Sequence, residues 1–232
     1  MSSQFSFPQD WLLPPSLQVA AGIQKIMAEK VIKADQFGEL KYIAGMDVSN
    51  NPYDPKQLIY ASIVILKAED LQIVETANVV QKARFPYVSG FLGFREAPAL
   101  VEAFAQLQQK PDLIFVDGHG ISHPRGLGIA SHIGVLLDCP TIGVAKNLLV
   151  GKPSNELSLQ PGAQTPVIYQ KNIIAMLLRS KLRSNPLIIS TGHCVALATA
   201  VQLVQSYLRG YRLPEPTRQA HLAANMQRKK LK

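Results

Sequence analysis

The chain has 232 residues, 47% of them hydrophobic, and a formal net charge of +8. This composition can bury a full core, and we expect one domain over 1–232, with flexible ends at 1–16 and 227–232. The longest apolar run, Leu58–Leu66, is too short to cross a bilayer, and residues 1–15 lack a secretory signal. Two cysteines, Cys139 and Cys194, have neither disulfide-framework nor zinc-site spacing. We therefore expect a cytoplasmic protein that is neither secreted nor membrane-bound.

The positive charge is concentrated in the second half of the chain. Residues 1–116 contain 10 Lys and Arg against 12 Asp and Glu, whereas residues 117–232 contain 14 against 4. A net charge of −2 is thus followed by one of +10, which favours binding to a phosphate backbone. A basic protein with no such partner is the simpler alternative when charge is taken alone.

Apolar periodicity predicts a helix over Leu17–Lys30, followed by an antiparallel meander of three strands. The predicted strands cover Tyr42–Val48, Leu58–Leu66 and Leu71–Val80. Helices and strands then alternate. The later predictions are helices over Arg95–Gln109, Gly128–Leu137, Val195–Leu208 and Thr217–Met226, and strands over Leu113–Val116, Thr141–Val144, Val167–Tyr169, Ile173–Leu178 and Leu187–Ile189.

A meander followed by alternating helices and strands predicts an α/β fold, with a mixed sheet covered by helices on both faces. This order resembles the ribonuclease-H-like fold. In such a sheet the first and fourth strands are adjacent, so side chains at their ends lie on the order of 5 Å apart.

Two acids occupy those strand ends. Asp47 lies within the predicted first strand, and Asp117 directly follows Leu113–Val116, where a Gly-rich segment flanked by histidines begins. Carboxylates this close repel unless a cation lies between them. Mg²⁺ takes oxygen ligands and completes its shell with water and phosphate oxygens, so we expect a magnesium site here.

Several segments, taken together, resemble the endonuclease V family, whose members incise next to deoxyinosine. The resemblance covers about residues 17–226, and its motifs occur in sequence order. They are Ala44–Val48, Phe85–Glu96, Pro111–Leu127, Gly128–His132, Thr141–Lys146, Ser190–His193 and Gly210–Arg218.

The resemblance implies a catalytic set of Asp47, Glu96, Asp117 and Lys146. Asp47 and Asp117 would hold Mg²⁺, for which Mn²⁺ could substitute, and Glu96 would complete the carboxylate cluster from the start of a helix. Lys146 would neutralise the attacked phosphate or orient the water. His221 would face the metal, although an exposed helical histidine is an equal alternative. Ordinary first-turn electrostatics for Glu96 and a surface position for Lys146 are the simpler interpretations.

The resemblance also implies a substrate-binding set. Tyr87 would be a wedge that fills the space left by a displaced base. The family usually has Ile-Pro where this chain has Val88-Ser89, and serine does not restrict φ as proline does. The remaining members are three glycines whose backbone approaches the base, a nearby leucine and a phosphate-contacting histidine with a second histidine beside it: Gly90, Gly118, Gly120, Leu149, His123 and His119.

The implied reaction is magnesium-dependent, in-line attack of water on double- or single-stranded DNA containing deoxyinosine. The family cuts the second phosphodiester bond 3′ to the lesion, leaving a 3′-hydroxyl and a 5′-phosphate. An inosine-specific ribonuclease acting on RNA and a non-catalytic lesion-binding module are the alternatives. We expect a monomer.

Overall fold

The structure is a computed structural model that describes residues 7–51 and 53–230. A short 3-10 helix over Gln9–Trp11 precedes the first α-helix. The α-helices are α1 (Leu17–Glu29), α2 (Leu92–Ala105), α3 (Ile129–Leu137), α4 (Leu197–Ser206) and α5 (Glu215–Lys230). The strands are β1 (Tyr42–Asn50), β2 (Leu58–Lys67), β3 (Ile73–Lys82), β4 (Leu113–Val116), β5 (Thr141–Ala145), β6 (Lys152–Pro153), β7 (Gln164–Tyr169), β8 (Asn172–Leu178) and β9 (Leu187–His193).

The strands form one mixed sheet in the order β3-β2-β1-β4-β5-β9-β8-β7-β6. The β1–β2–β3 meander is antiparallel, as predicted. Strands β1, β4 and β5 are parallel to one another, so their carboxyl ends meet at one edge of the sheet. The predicted adjacency of the first and fourth strands is confirmed.

Both faces of the sheet are buried at β4, which explains the continuous apolar run of this strand. Ile114 and Val116 pack on the side covered by α1, α2 and α3. Leu113 and Phe115 point to the opposite side, where they pack with residues of α4 and α5. Successive strand residues point to opposite faces, so a strand between two helical layers must be apolar throughout. The predicted α/β fold with helices on both faces is confirmed.

Some element bounds differ from the predictions. Helix α2 begins at Leu92 rather than Arg95 and ends at Ala105 rather than Gln109. Its start was not visible in the sequence, because the N-cap residue, Phe91, makes no side-chain capping bond. Strand β3 begins at Ile73 because Leu71 has a positive φ of 63° and closes the turn instead. The two-residue β6 was not predicted.

The chain ends are partly described. Ser16 caps α1 by accepting a hydrogen bond from the Val19 amide, and the carbonyl of Trp11 lies 2.7 Å from His132 Nε2. Helix α5 continues to Lys230; residues 1–6 and 231–232 lie outside the described part, and the flexibility of both ends stays a prediction. Within residues 7–51 and 53–230, no helix has the length and apolarity needed to span a membrane.

Candidate active site

Three polar side chains lie at the same level of the three parallel strands: Asp47 within β1, and Asp117 and Lys146 directly after β4 and β5. Met46 of β1 pairs with Val116 of β4, and the Asp117 amide donates to the Met46 carbonyl at 2.9 Å. Asp47 and Asp117 each follow directly after this pair. Lys146 directly follows β5, and its Nζ lies 2.5 Å from Asp117 Oδ2. Strand ends of this kind are where α/β sheets place their ligands.

Glu96 reaches the same place from α2. Because α2 begins at Leu92, Glu96 lies in the second helical turn, and the expectation that it starts the helix is corrected. First-turn electrostatics therefore do not explain it. Its Oε1 accepts a hydrogen bond from Asn50 Nδ2 at 3.2 Å, at the end of β1.

Asp47, Glu96 and Asp117, which we call the acidic cluster, repel one another. Burial, followed by the charges of Asp47 and Asp117, raises the pKa of Glu96 from 4.5 to about 8. Burial and the charge of Asp47 raise the pKa of Asp117 from 3.8 to about 6, although Lys146 and His221 act in the opposite direction. Buried carboxylates that destabilise one another in this way are suited to a bound cation.

His221, on α5, lies against the two aspartates. Its Nδ1 is 2.7 Å from Asp47 Oδ2 and 3.9 Å from Asp117 Oδ2. On the other side of the ring, Nε2 is 3.0 Å from Asn225 Nδ2, and Asn225 Oδ1 accepts from Ser49 Oγ at 2.8 Å. His221 thus belongs to a hydrogen-bonded chain and is not an isolated surface histidine.

The arrangement fits a divalent cation. Asp47, Asp117 and His221 each offer a ligand atom, and these atoms lie within 4.8 Å of one another. Two carboxylates and an imidazole, with room for water, form a donor set that Mg²⁺ or Mn²⁺ accepts. Glu96 lies outside this 4.8 Å group in the described part of the chain and faces the cavity beside it.

That cavity, which we call the central pocket, has a volume of about 330 Å³. The acidic cluster forms one side of it. Five predicted substrate-binding residues also line it: Gly90, Gly118, His119, His123 and Leu149. A pocket of this volume is in the range of small-molecule sites. The structure therefore brings the predicted metal site and much of the predicted base site into one cavity.

Two predicted residues, Tyr87 and Lys146, are not among the residues that line it. Tyr87 is 52% exposed on the loop that ends at Gly90, with Arg95 Cζ 5.9 Å from its ring centre. Lys146 is partly exposed and reaches the cluster through its bond to Asp117.

The Gly-rich loop over 117–125 contains two histidines, of which His123 is buried and His119 is half-buried. Burial lowers the pKa of His119 and that of His123 to about 4. His123 Nδ1 accepts from the Arg125 amide at 3.2 Å, so Nε2 carries the proton and donates to the Gly90 carbonyl at 3.0 Å. His119 Nδ1 lies 2.8 Å from Ser122 Oγ. Both ring nitrogens of His123 have protein partners, and its expected phosphate contact stays a prediction.

Gly120 is placed differently from the prediction. Its amide donates to Ser190 Oγ at 2.9 Å, and its carbonyl accepts from the Gly128 amide at 2.9 Å. A Cβ here would lie 1.9 Å from the Thr191 carbonyl oxygen. Gly120 therefore allows the loop to pack against β9, and it does not line the central pocket.

Sequence reasoning missed three polar residues that hold the site together: Gln24, Arg125 and Asn225. A signal existed for Gln24, which lies between Ala20 and Met27 on the buried face of α1 and is only 2% exposed. A polar residue at a core position of an amphipathic helix indicates a buried hydrogen-bond partner. Asn225 had a weaker signal, namely its position one helical turn after His221.

Comparisons with known proteins identify the family of this chain. The family model described as Endonuclease V matches residues 25–222. The endonuclease V of Protochlamydia amoebophila is 53% identical over 99% of this chain and 97% of its own length. A crystal structure of endonuclease V from Streptomyces avermitilis superposes with a TM-score of 0.87 at 32% identity, covering 97% of each chain.

A further solved structure contains a nucleic acid. Endonuclease V of Ciona intestinalis, in complex with a 23-mer DNA that contains an inosine followed by a ribo-adenosine, is 26% identical to this chain. It superposes with a TM-score of 0.82 over 93% of this chain and 98% of its own.

Proposed function

Since this chain belongs to the endonuclease V family, we propose that it is a Mg²⁺-dependent endonuclease that cuts DNA beside deoxyinosine. We place the cut at the second phosphodiester bond 3′ to the lesion, with a 3′-hydroxyl and a 5′-phosphate as products. Mn²⁺ substitutes for Mg²⁺. The observation that carries the proposal is that one cavity, the central pocket, is lined both by the acidic cluster and by Gly90, Gly118 and Leu149.

The residues proposed to bind the metal and the phosphate include side chains at or near the ends of the parallel strands. Asp47, Asp117 and His221 would hold the cation, which supplies Lewis-acid polarisation of a phosphate oxygen when bound. The Lys146 ammonium, now paired with Asp117, is placed to neutralise charge that develops on the attacked phosphate. Asn50 holds the Glu96 carboxylate where the pocket meets β1.

The lesion side of the mechanism rests on the loop Phe85–Gly90, which we call the wedge loop. Tyr87 projects from it, and Arg95 below the ring supports it by a cation–π contact. An aromatic ring inserted into the duplex takes the place of the displaced base. Gly118 has a φ of 154° and lines the pocket, so its backbone can approach the base closely.

The first test is cleavage of end-labelled duplexes that contain one deoxyinosine or a normal base, with Mg²⁺ or a chelator. Wild type, Asp47→Ala and a control, Asp10→Ala at an exposed acid, are compared. We expect metal-dependent nicking at one position 3′ to the lesion in wild type and the control, and none in Asp47→Ala. Lesion binding without nicking in wild type would instead identify a binding module.

The ribonuclease alternative is tested with the same duplexes. The Ciona intestinalis enzyme was solved with a ribo-adenosine directly after the inosine, which makes the sugar at that position an informative variable. We propose that DNA is the substrate, so a ribose there should not raise the rate. A marked preference for ribose would indicate an enzyme that reads a 2′-hydroxyl.

We further propose that the protein acts as a monomer with a single domain, in the cytoplasm. Both cysteines are free and buried, which suits a reducing compartment. Sedimentation of the purified protein alone and with DNA tests the oligomeric state.

A further inference from the structure

The wedge loop is tied to the protein at its first residue. Arg95 Nη1 donates to the Phe85 carbonyl at 2.7 Å, and Arg95 is only 2% exposed. Between the two ends of the loop, Pro86, Tyr87 and Ser89 are exposed. The body of the loop therefore projects from the surface, and its position depends on how its ends are held.

The last residue of the loop is held more extensively. The Gly90 carbonyl oxygen accepts hydrogen bonds from three side chains, Gln24 Nε2 (2.9 Å), His123 Nε2 (3.0 Å) and Arg125 Nη2 (2.6 Å). We call these three residues the Gly90 clamp. Two of them come from the Gly-rich loop and one comes from α1, so the clamp joins three separate segments at one atom.

The members of the clamp also orient one another. Arg125 Nε donates to Gln24 Oε1, which leaves the amide nitrogen of Gln24 facing Gly90. The Arg125 amide donates to His123 Nδ1, which leaves Nε2 of that ring as the donor to Gly90. The Arg125 guanidinium lies 4.2 Å from the ring centre of Phe91. Each donor is thus pre-oriented by a second contact, and reversing the Gln24 amide would set donor against donor.

Gln24 connects the clamp to the core. Its neighbours on the buried face of α1, Ala20 and Met27, are 0% exposed. A buried amide is costly unless its hydrogen bonds are made, so Gln24 is restrained to this orientation. Neither Val88 nor Ser89 restricts φ as proline would, and Gly90 has a φ of 77°, which favours glycine. Tertiary hydrogen bonds therefore supply rigidity that the loop sequence lacks.

We propose that Gln24 and Arg125 are positioning residues for lesion recognition, which hold the wedge loop by the Gly90 carbonyl so that Tyr87 enters the duplex at a fixed place. This inference rests on the proposed function. Neither residue lines the acidic side of the pocket, and their effect is on the separation of the base and not on hydrolysis.

The test uses Gln24→Met, which keeps the side-chain volume and removes the donor. Gln18→Met is the matched control, since Gln18 lies on the exposed face of the same helix. Single-turnover cleavage is measured on duplex and on single-stranded deoxyinosine substrates, because a single strand needs no base pair to be opened. We expect Gln24→Met to lose about tenfold or more on duplex, less than about threefold on single strands, and no activity change in the control.

Arg125→Lys is the second variant, because lysine retains the charge but not the fixed fork of donors. It should show the same duplex-selective loss. Equal losses on both substrates, or none on either, would overturn the positioning role. A wild-type protein that nicks neither substrate would refute the proposed function, and the inference would fall with it.

Hydrogen exchange measures the clamp without catalysis. The Phe91 amide donates to the Val88 carbonyl at 3.0 Å, so the peptide over 85–91 reports the order of the loop. We expect this peptide to exchange at least about tenfold faster in Gln24→Met than in wild type, whereas the β4 peptide should exchange at the same rate in both. Unchanged exchange at 85–91 would show that the clamp does not restrain the loop.

Discussion

Lys146 Nζ and Asp117 Oδ2 lie 2.5 Å apart, at the ends of two adjacent parallel strands. This ion pair brings an ammonium group to the acidic cluster through one of its members, Asp117. The Lys146 side chain is 32% exposed, so it can leave Asp117 for a phosphate that enters the pocket. The ion pair between Lys146 and Asp117 in the metal-free protein would thus be exchanged for a contact between Lys146 and the phosphate in the substrate complex.

Replacement of Lys146 should lower the rate of cleavage. We expect Lys146→Met to reduce kcat by about 100-fold at saturating Mg²⁺, because the cation that neutralises the phosphate is lost. Single-turnover rates measure this. Lys152→Met, at an exposed lysine of β6, is the control and should retain full activity. A similar rate in both variants would remove Lys146 from the mechanism.

Glu96 should make the metal-free protein less stable as pH rises. Its folded-state pKa of about 8 exceeds the ordinary value of 4.5, so the native state binds more protons than the unfolded state between these values. The free energy of unfolding must therefore fall as pH rises from about 4.5 to about 8. Glu96→Gln removes this dependence and should be more stable than wild type at pH 8 by about 4 kcal/mol.

Thermal unfolding in chelator, at pH 6 and pH 8, measures this difference. Glu102→Gln, on the exposed side of the same helix, should follow wild type. Added Mg²⁺ should restore stability to wild type at pH 8, because the ionised cluster is the form that binds a cation. Parallel pH profiles for wild type and Glu96→Gln would contradict the assignment.

Asn225 should raise the affinity of the site for a metal ion through its contact with His221. Asn225 Nδ2 can only donate to His221 Nε2, 3.0 Å away, which leaves the ring proton on Nδ1. Metal binding through Nδ1 requires the reversed Asn225 amide, with Oδ1 accepting from Nε2 and Nδ2 donating to Ser49 Oγ. We expect Asn225→Ala to weaken Mn²⁺ binding by about tenfold in calorimetry, whereas the exposed Asn172→Ala should not. In a His221→Asp background the effect of Asn225→Ala should disappear, because a carboxylate has no tautomer to orient. A persistent effect there would assign Asn225 a role independent of His221.

Gly120 should prove to be a structural glycine. A methyl group at this position would lie 1.9 Å from the Thr191 carbonyl oxygen, and backbone cannot yield easily. We expect Gly120→Ala to destabilise the fold by about 3 kcal/mol, which corresponds to roughly 6–12 °C in Tm. Gly22→Ala, with open space around its Cβ in α1, should instead stabilise by about 0.5–1 kcal/mol. If Gly120→Ala left Tm unchanged and reduced lesion discrimination, Gly120 would instead belong to the substrate-binding set.

Local pattern was sufficient for most of the fold and for the two aspartates of the candidate metal site, whereas His221 was identified from the family resemblance. Strand β4 was predicted with its observed bounds, because a strand buried on both faces must be a short, continuous apolar run. Asp47 and Asp117 were identified because each follows or interrupts such a run, and a sheet of this topology brings the ends of β1 and β4 together. The start of α2 was missed, since its N-cap makes no side-chain bond.

The tertiary structure decided which polar groups have partners from distant parts of the chain. Gln24 and Gly90 are 66 positions apart, and Ser49 and Asn225 are 176 apart, so no local pattern reports either contact. Gly120 has a sequence context typical of a flexible pocket loop, yet packing against β9 explains its identity. Hydrophobic periodicity determines the elements and their order, whereas hydrogen bonds between remote segments, which depend on three-dimensional distance and orientation, determine how the site is held.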